Sequence, residues 1–159
     1  MTKSRRRLRL ASEYRDCIAA LNSREVTYVL VGAYAVGWHG AARATGDIDF
    51  LYEQSHKNVA KLCAALRDFG APSSLIDPEF MMSREPITQI GIVPLRIDFI
   101  AAISGVTFDE VNADAIDDSV DGVSLRVISL RNLLRNKRAT GRPKDKLDVR
   151  RLERLADTQ

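Results

Sequence analysis

The run Asp47-Ile48-Asp49-Phe50-Leu51-Tyr52 constrains this chain more than any other stretch of it. Its apolar residues are bulky or β-branched and alternate with two carboxylates, so it reads as a strand. Ile48 and Phe50 take one face, and Asp47 and Asp49 share the other. At about 4 Å and an effective dielectric near 20, two such charges repel by roughly 4 kcal/mol. A fold that keeps them side by side at the start of a buried strand calls for a cation.

A third carboxylate, Asp98, interrupts Leu95-Arg96-Ile97-Asp98-Phe99-Ile100, an otherwise apolar strand. Alternation sends Ile97 and Phe99 to the core and puts Asp98 with Arg96 on the opposite face. If this strand lies beside Asp47 to Tyr52, three carboxylates converge on one site, the oxygen donor set that Mg²⁺ takes. Two plainer readings stand next to that one. Asp47, following Gly46, can be a turn residue, and Asp98 can be held in a structural ion pair with Arg96 or another arginine.

Upstream, Thr27 to Val31 has the β-branched and aromatic make-up of a strand and ends at Gly32, and Ala33 to His39 follows as a short helix. A glycine there lets the backbone approach a ligand, and the free N–H groups from Ala33 onward can hold a phosphate. Gly32 as simple punctuation between strand and helix is the alternative.

The remaining pattern predicts an amphipathic helix over about 8–23, with Leu10, Tyr14, Cys17, Ile18 and Leu21 inward. A second helix starts at Ser55 as cap, turns Val59, Leu62, Cys63, Leu66 and Phe69 inward and stops at Gly70. Residues 71–86 read as irregular with one helical turn near Glu79 to Met82. Two strands follow, Ile87 to Ile92 and Leu95 to Ile103, joined tightly at Val93-Pro94. Strands near Ala115 to Val120 and Val123 to Ile128 flank the turn Asp121-Gly122. Ser129 caps a helix with Leu130, Leu133 and Leu134, and the last helix starts at Pro143 with Leu147, Leu152 and Leu155 inward. The fold class is therefore α+β: a mixed sheet covered by helices, ending in a C-terminal helical pair. No linker divides the 159 residues, so one domain over 1–159 is expected, with a core over about 26–128 and basic helices over about 129–157.

Charge is unevenly placed along the chain. Residues 1–9 hold five basic residues and no acid, residues 10–125 hold eight basic against seventeen acidic, and residues 126–159 hold eleven against four, for a net +3. An acidic middle suits a cation site, and basic ends suit phosphates or nucleic acid. The tail cations can equally decorate solvent faces of the last two helices. Aromatic residues for base stacking are nearly absent there.

Cys17 and Cys63 fall on apolar helix faces with no zinc spacing, so they read as small buried hydrophobes in a reducing, cytoplasmic setting. The basic start, Lys3 to Arg9, is not followed by an unbroken apolar stretch, which disfavours a signal peptide. Val26 to Ala42 is uncharged but broken by Gly32, Gly37 and Gly40, which argues for buried structure rather than a membrane span.

The ordered set resembles the nucleotidyltransferase fold superfamily related to polymerase β, especially its small prokaryotic members and the nucleotidyltransferase-like toxins of abortive-infection systems. The residues that carry the resemblance are Val31-Gly32-Ala33-Tyr34-Ala35-Val36 with His39-Gly40, Arg43 through Asp49, Asp98, and Asn136 through Asp145 with Asp148, spanning about residues 26–150. It implies a divalent-metal enzyme, using Mg²⁺ or Mn²⁺, that transfers a nucleotidyl group from an NTP such as ATP to an acceptor hydroxyl. Two metal ions would be held by Asp47, Asp49 and Asp98, with Asp98 also accepting the proton. Gly32, Ala33, Arg43, Lys137 and Lys144 are implied as nucleotide-binding positions. Asp145 matches the same motif, and is equally a favourable charge at a helix start. Ala33 stands where Ser or Gly is usual, keeping the backbone N–H and lacking a hydroxyl. The acceptor stays open among tRNA, a protein and a small molecule, and an antitoxin partner or a homodimer is compatible with the small core. A catalytically inactive binding or regulatory module of the same fold, of the toxin–antitoxin kind, is the alternative. A glycosyltransferase with an Asp-x-Asp pair needs a longer chain.

Overall fold

The computed structural model describes residues 8–158; Met1 to Arg7, most of the basic start, and Gln159 lie outside the described residues. The first helix, α1 (Ser12–Ser23), buries Tyr14, Cys17, Ile18 and Leu21 as its spacing requires. It begins later than expected because Leu10, although buried, precedes it in non-helical backbone, with its N–H donated to the Asp121 carboxylate at 2.7 Å. β1 (Tyr28–Val31) runs directly into α2 (Gly32–Trp38), and β2 (Asp47–Tyr52) follows. α3 (His56–Phe69) has the Ser55 hydroxyl accepting from the Asn58 N–H and Gly70 as its stop.

The 71–86 segment holds a 3₁₀ turn at Ser73–Leu75 and a four-residue helix α4 (Pro78–Met81). β3 (Ile87–Ile90) and β4 (Arg96–Ile100) are both shorter than the sequence suggested. Their connection takes residues 91–95 instead of a two-residue turn: Pro94 offers no N–H, and the loop closes from the Leu95 N–H to the Ile92 carbonyl. α5 (Phe108–Ala113) was not expected. It is nucleated by a reciprocal capping box between Thr107 and Glu110. β5 (Ile116–Val120), β6 (Val123–Val127), α6 (Leu130–Thr140) and α7 (Pro143–Asp157) complete the order.

Six strands form one mixed sheet in the order β3-β4-β2-β1-β6-β5. β2 is central, antiparallel to β1 and parallel to β4, with Asp47 opposite Arg96 and Asp49 opposite Asp98. β6 joins β1 in parallel, and hairpins add β3 and β5 at the edges. The core joins α1 and α3 to the sheet through Ile18, Leu21, Leu62 and Leu66 against Leu30, Phe50 and Phe99. Both cysteines are buried and unpaired, and burial pushes the Cys17 thiol up to about 12, so it is inert. Leu147 is a correction: it is 41% exposed, because the inward face of α7 is formed by Asp145, Asp148 and Leu152. No helix among the described residues is long and apolar enough to cross a membrane.

Candidate active site

The strand alternation and the parallel pairing of β2 with β4 bring the three carboxylates together. Asp47, Asp49 and Asp98 each offer an oxygen, and these oxygens lie within 4.8 Å of one another. Among the described residues this is the one group of three His, Cys, Asp or Glu side chains placed to share an ion. The three differ in what already holds them. Asp47 accepts from the Thr45 hydroxyl at 2.9 Å and from Arg96 at 2.8 Å, and Asp98 accepts a two-pronged Arg96 contact at 2.9 and 3.2 Å. The Asp49 carboxylate accepts no hydrogen bond from the described residues. Burial, reinforced by the charges of Asp47 and Asp98, raises its pKa to about 7, and burial likewise raises Asp98 despite Arg96.

Arg96 therefore sits on the triad as an internal counter-cation, as the ion-pair reading of the sequence anticipated, yet the pairing leaves the triad intact. Three carboxylates and one guanidinium carry a formal −2, and the unpartnered, partly charged Asp49 is the open donor. Hard, anionic oxygens at this spacing fit a divalent cation such as Mg²⁺ or Mn²⁺.

Gly32 serves Asp49 directly. Its φ is +71°, which disfavours any side chain, and a Cβ there would lie 2.2 Å from Asp49 Oδ2. The close approach follows from the β1–β2 register, which sets Val31 opposite Asp49. Gly32→Ala should therefore destabilise the protein by about 1–3 kcal/mol, from backbone strain and displacement of the carboxylate. Urea denaturation reads this, and an unchanged midpoint would contradict the close contact.

Gly32, Ala33 and the triad line a cavity of about 410 Å³ that is also lined by the basic residues Arg43, Lys137, Arg142 and Lys144. Every nucleotide-binding position expected from sequence thus reaches one cavity, but not in one state. Lys137 is 4% exposed and paired with Asp145 at 3.1 Å and Asp148 at 3.2 Å, both themselves fully buried. Arg43 holds Asp148 through two hydrogen bonds. Arg142 grips Asp145 through Nε at 2.7 Å, while Asp145 accepts the Arg142 backbone N–H, so this acid both caps α7 and neutralises cations. Burial opposes ionisation of Asp145, yet Arg142 and Lys137 together hold it below the usual carboxylate range. Lys144 stays exposed with no ion-pair partner among the described residues.

Sequence reasoning did not single out Arg142 as a site residue, nor Ser104, Asn136 and Thr140, which also line the cavity. Arg142 was legible in principle, because Pro143 at the first helical position fixes the residue before it at the helix entrance.

The acids lie on adjacent parallel strands of a mixed sheet and share their cavity with residues of the C-terminal helical pair. A solved structure from Thermotoga maritima, described as a "putative nucleotidyltransferase", is similar to this chain with a TM-score of 0.58 and 14% identity, covering 91% of each chain. At that identity the likeness is one of fold. No family model and no curated protein matches the chain.

Proposed function

We propose that this protein is a metal-dependent nucleotidyltransferase that moves NMP from an NTP to an acceptor hydroxyl. The observation that carries the reading is the convergence of Asp47, Asp49 and Asp98, with oxygens inside 4.8 Å, on a cavity that basic residues also line. A divalent ion held by these carboxylates supplies charge neutralisation at the phosphates and activation of the attacking oxygen. The chain's own residues do the rest. Lys144, exposed and without an ion pair among the described residues, contacts the polyphosphate; Lys137, Arg43 and Arg142, committed to Asp145 and Asp148, set the potential and hold the wall in place. Gly32 and Ala33 keep the backbone low beside Asp49. The acceptor oxygen attacks the α-phosphorus, the bond from that phosphorus to the bridging oxygen breaks, and pyrophosphate leaves with the electron pair. The hydroxyl proton passes to Asp98, which burial makes a stronger base than an exposed carboxylate.

The test is incubation with NTPs labelled at the α- or the γ-phosphate, Mn²⁺ or Mg²⁺, and RNA or protein acceptors. Transfer of α-label with release of γ-label as pyrophosphate is expected. Metal-dependent nucleotide binding with no transfer to any acceptor would instead support the inactive binding module. The pH dependence follows from Asp49: with its pKa near 7, ion binding requires loss of its proton. Mn²⁺ affinity should be about tenfold weaker at pH 6 than at pH 8, read by calorimetry. A flat profile over that range would mean that Asp49 is not a ligand.

A further inference from the structure

The eleven basic residues of 126–159 separate into two groups once their partners are known. Arg126, Arg131, Arg135, Arg138 and Arg142 are answered by Asp117, Asp114, Glu110, Glu153 and Asp145, and Lys137 is buried. Lys144, Lys146, Arg150, Arg151 and Arg154 are exposed and form no ion pair among the described residues. All five lie on α7. Lys146, Arg150 and Arg154 follow one another at i, i+4, i+8, and Lys144 and Arg151 lie alongside them around the exposed Leu147. Of the four acids in this stretch, Asp145 and Asp148 face inward and Glu153 holds Arg138, which leaves only Asp157 in the last turn. The surface is therefore more basic than the sequence count implies. Lys144 to Arg154 spans about 15 Å at the helical rise, and its Lys144 end lines the carboxylate cavity.

We propose that this face of α7 binds the phosphate backbone of a nucleic-acid strand and leads a terminal hydroxyl of that strand into the cavity as the acceptor. The second clause rests on the nucleotidyl-transfer reading, and the first does not. A row of unpaired cations with no exposed aromatic side chain matches repeated phosphates, and it predicts binding without sequence preference. A protein interface would offer an apolar or aromatic centre and little lysine, whereas Leu147 is the one exposed large apolar residue of α7. A membrane surface would take an amphipathic helix through its apolar face, but Leu152 of α7 is buried in the core. The chemistry at the strand end is the transfer already balanced above: one oxygen–phosphorus bond forms, one breaks, and pyrophosphate leaves.

The experiment is fluorescence anisotropy with a labelled RNA hairpin that has a single-stranded 3′ end, in EDTA and without NTP, across a salt series. With four or five phosphates neutralised, the slope of log K against log salt should be about −3. The variant Lys146→Gln/Arg150→Gln/Arg151→Gln/Arg154→Gln keeps good helix formers at exposed positions. It should bind about 30-fold more weakly, with a slope near −1, and retain Mn²⁺-dependent NTP binding and wild-type circular dichroism. Equal RNA binding by the variant and the wild type would overturn the proposal, as would tighter wild-type binding to polyglutamate or phosphatidylserine vesicles than to RNA. RNA binding that survives alongside absent NTP binding would overturn only the transfer chemistry, so the two failures are distinguishable.

Discussion

Asn in place of Asp49 should make the metal-free protein more stable while abolishing its activity. Asp49 is half-buried, its carboxylate accepts no hydrogen bond among the described residues, and one of its oxygens stands within 4.8 Å of an oxygen of each of two further carboxylates. At an effective dielectric near 20, each such neighbour costs about 3–4 kcal/mol before Arg96 offsets part of it. Replacing the charge with an amide should return about 1–3 kcal/mol, a rise in Tm of about 3–10 °C for a chain of this size. The sign follows from linkage. A carboxylate whose folded pKa is raised to about 7 contributes stability that is complete below its unfolded value near 4 and is lost as pH rises through 7. The gain in Asp49→Asn should therefore appear at pH 8 and close at pH 4, and Mn²⁺ should raise the Tm of the wild type but not of the variant. A variant equally stable at both pH values, or one that still transfers label, would contradict this account of Asp49.

Lys137→Met should have the largest cost in stability. The ammonium lies 3.1 and 3.2 Å from two fully buried carboxylates. Removing it strands Asp145 and Asp148 in the interior with only Arg142 and Arg43, at a cost of about 3–5 kcal/mol. For this chain length that corresponds to a loss of about 10 °C in Tm, measured by scanning calorimetry. The double variant Lys137→Met/Asp145→Asn should recover part of the loss, because one of the uncompensated charges is gone. A Tm within a degree or so of the wild type would show that Lys137 is free to act on phosphate, as the sequence motif implied, and would move it back among the ligand contacts.

Much of this site was legible in the sequence because period-two alternation is robust. It placed Asp47 with Asp49, and Asp98 with Arg96, before any pairing was known. The pairing itself was not legible: nothing local says that β4 lies parallel to β2 with Asp98 opposite Asp49. The Gly32–Asp49 contact was invisible for the same reason, since it depends on the β1–β2 register. The C-terminal pair shows a different failure. Hydrophobic periodicity turned Leu147 inward, whereas the face of α7 that meets Lys137 is built from Asp145 and Asp148. A buried charge network breaks the rule that apolar residues mark the inner face. α5 was missed although its Thr107-to-Glu110 capping box stood in plain sequence, because a helix of six residues shows no period.

The most direct measurement is calorimetric titration of the protein with NTP, once in Mn²⁺ and once in EDTA. The carboxylate triad repels the polyphosphate, a repulsion that a divalent ion held there would neutralise, so binding in Mn²⁺ should exceed binding in EDTA by at least about a hundredfold, and Asp49→Asn should erase the difference. NTP binding of equal strength in Mn²⁺ and EDTA would contradict the claim that Asp47, Asp49 and Asp98 form a metal-dependent nucleotide site.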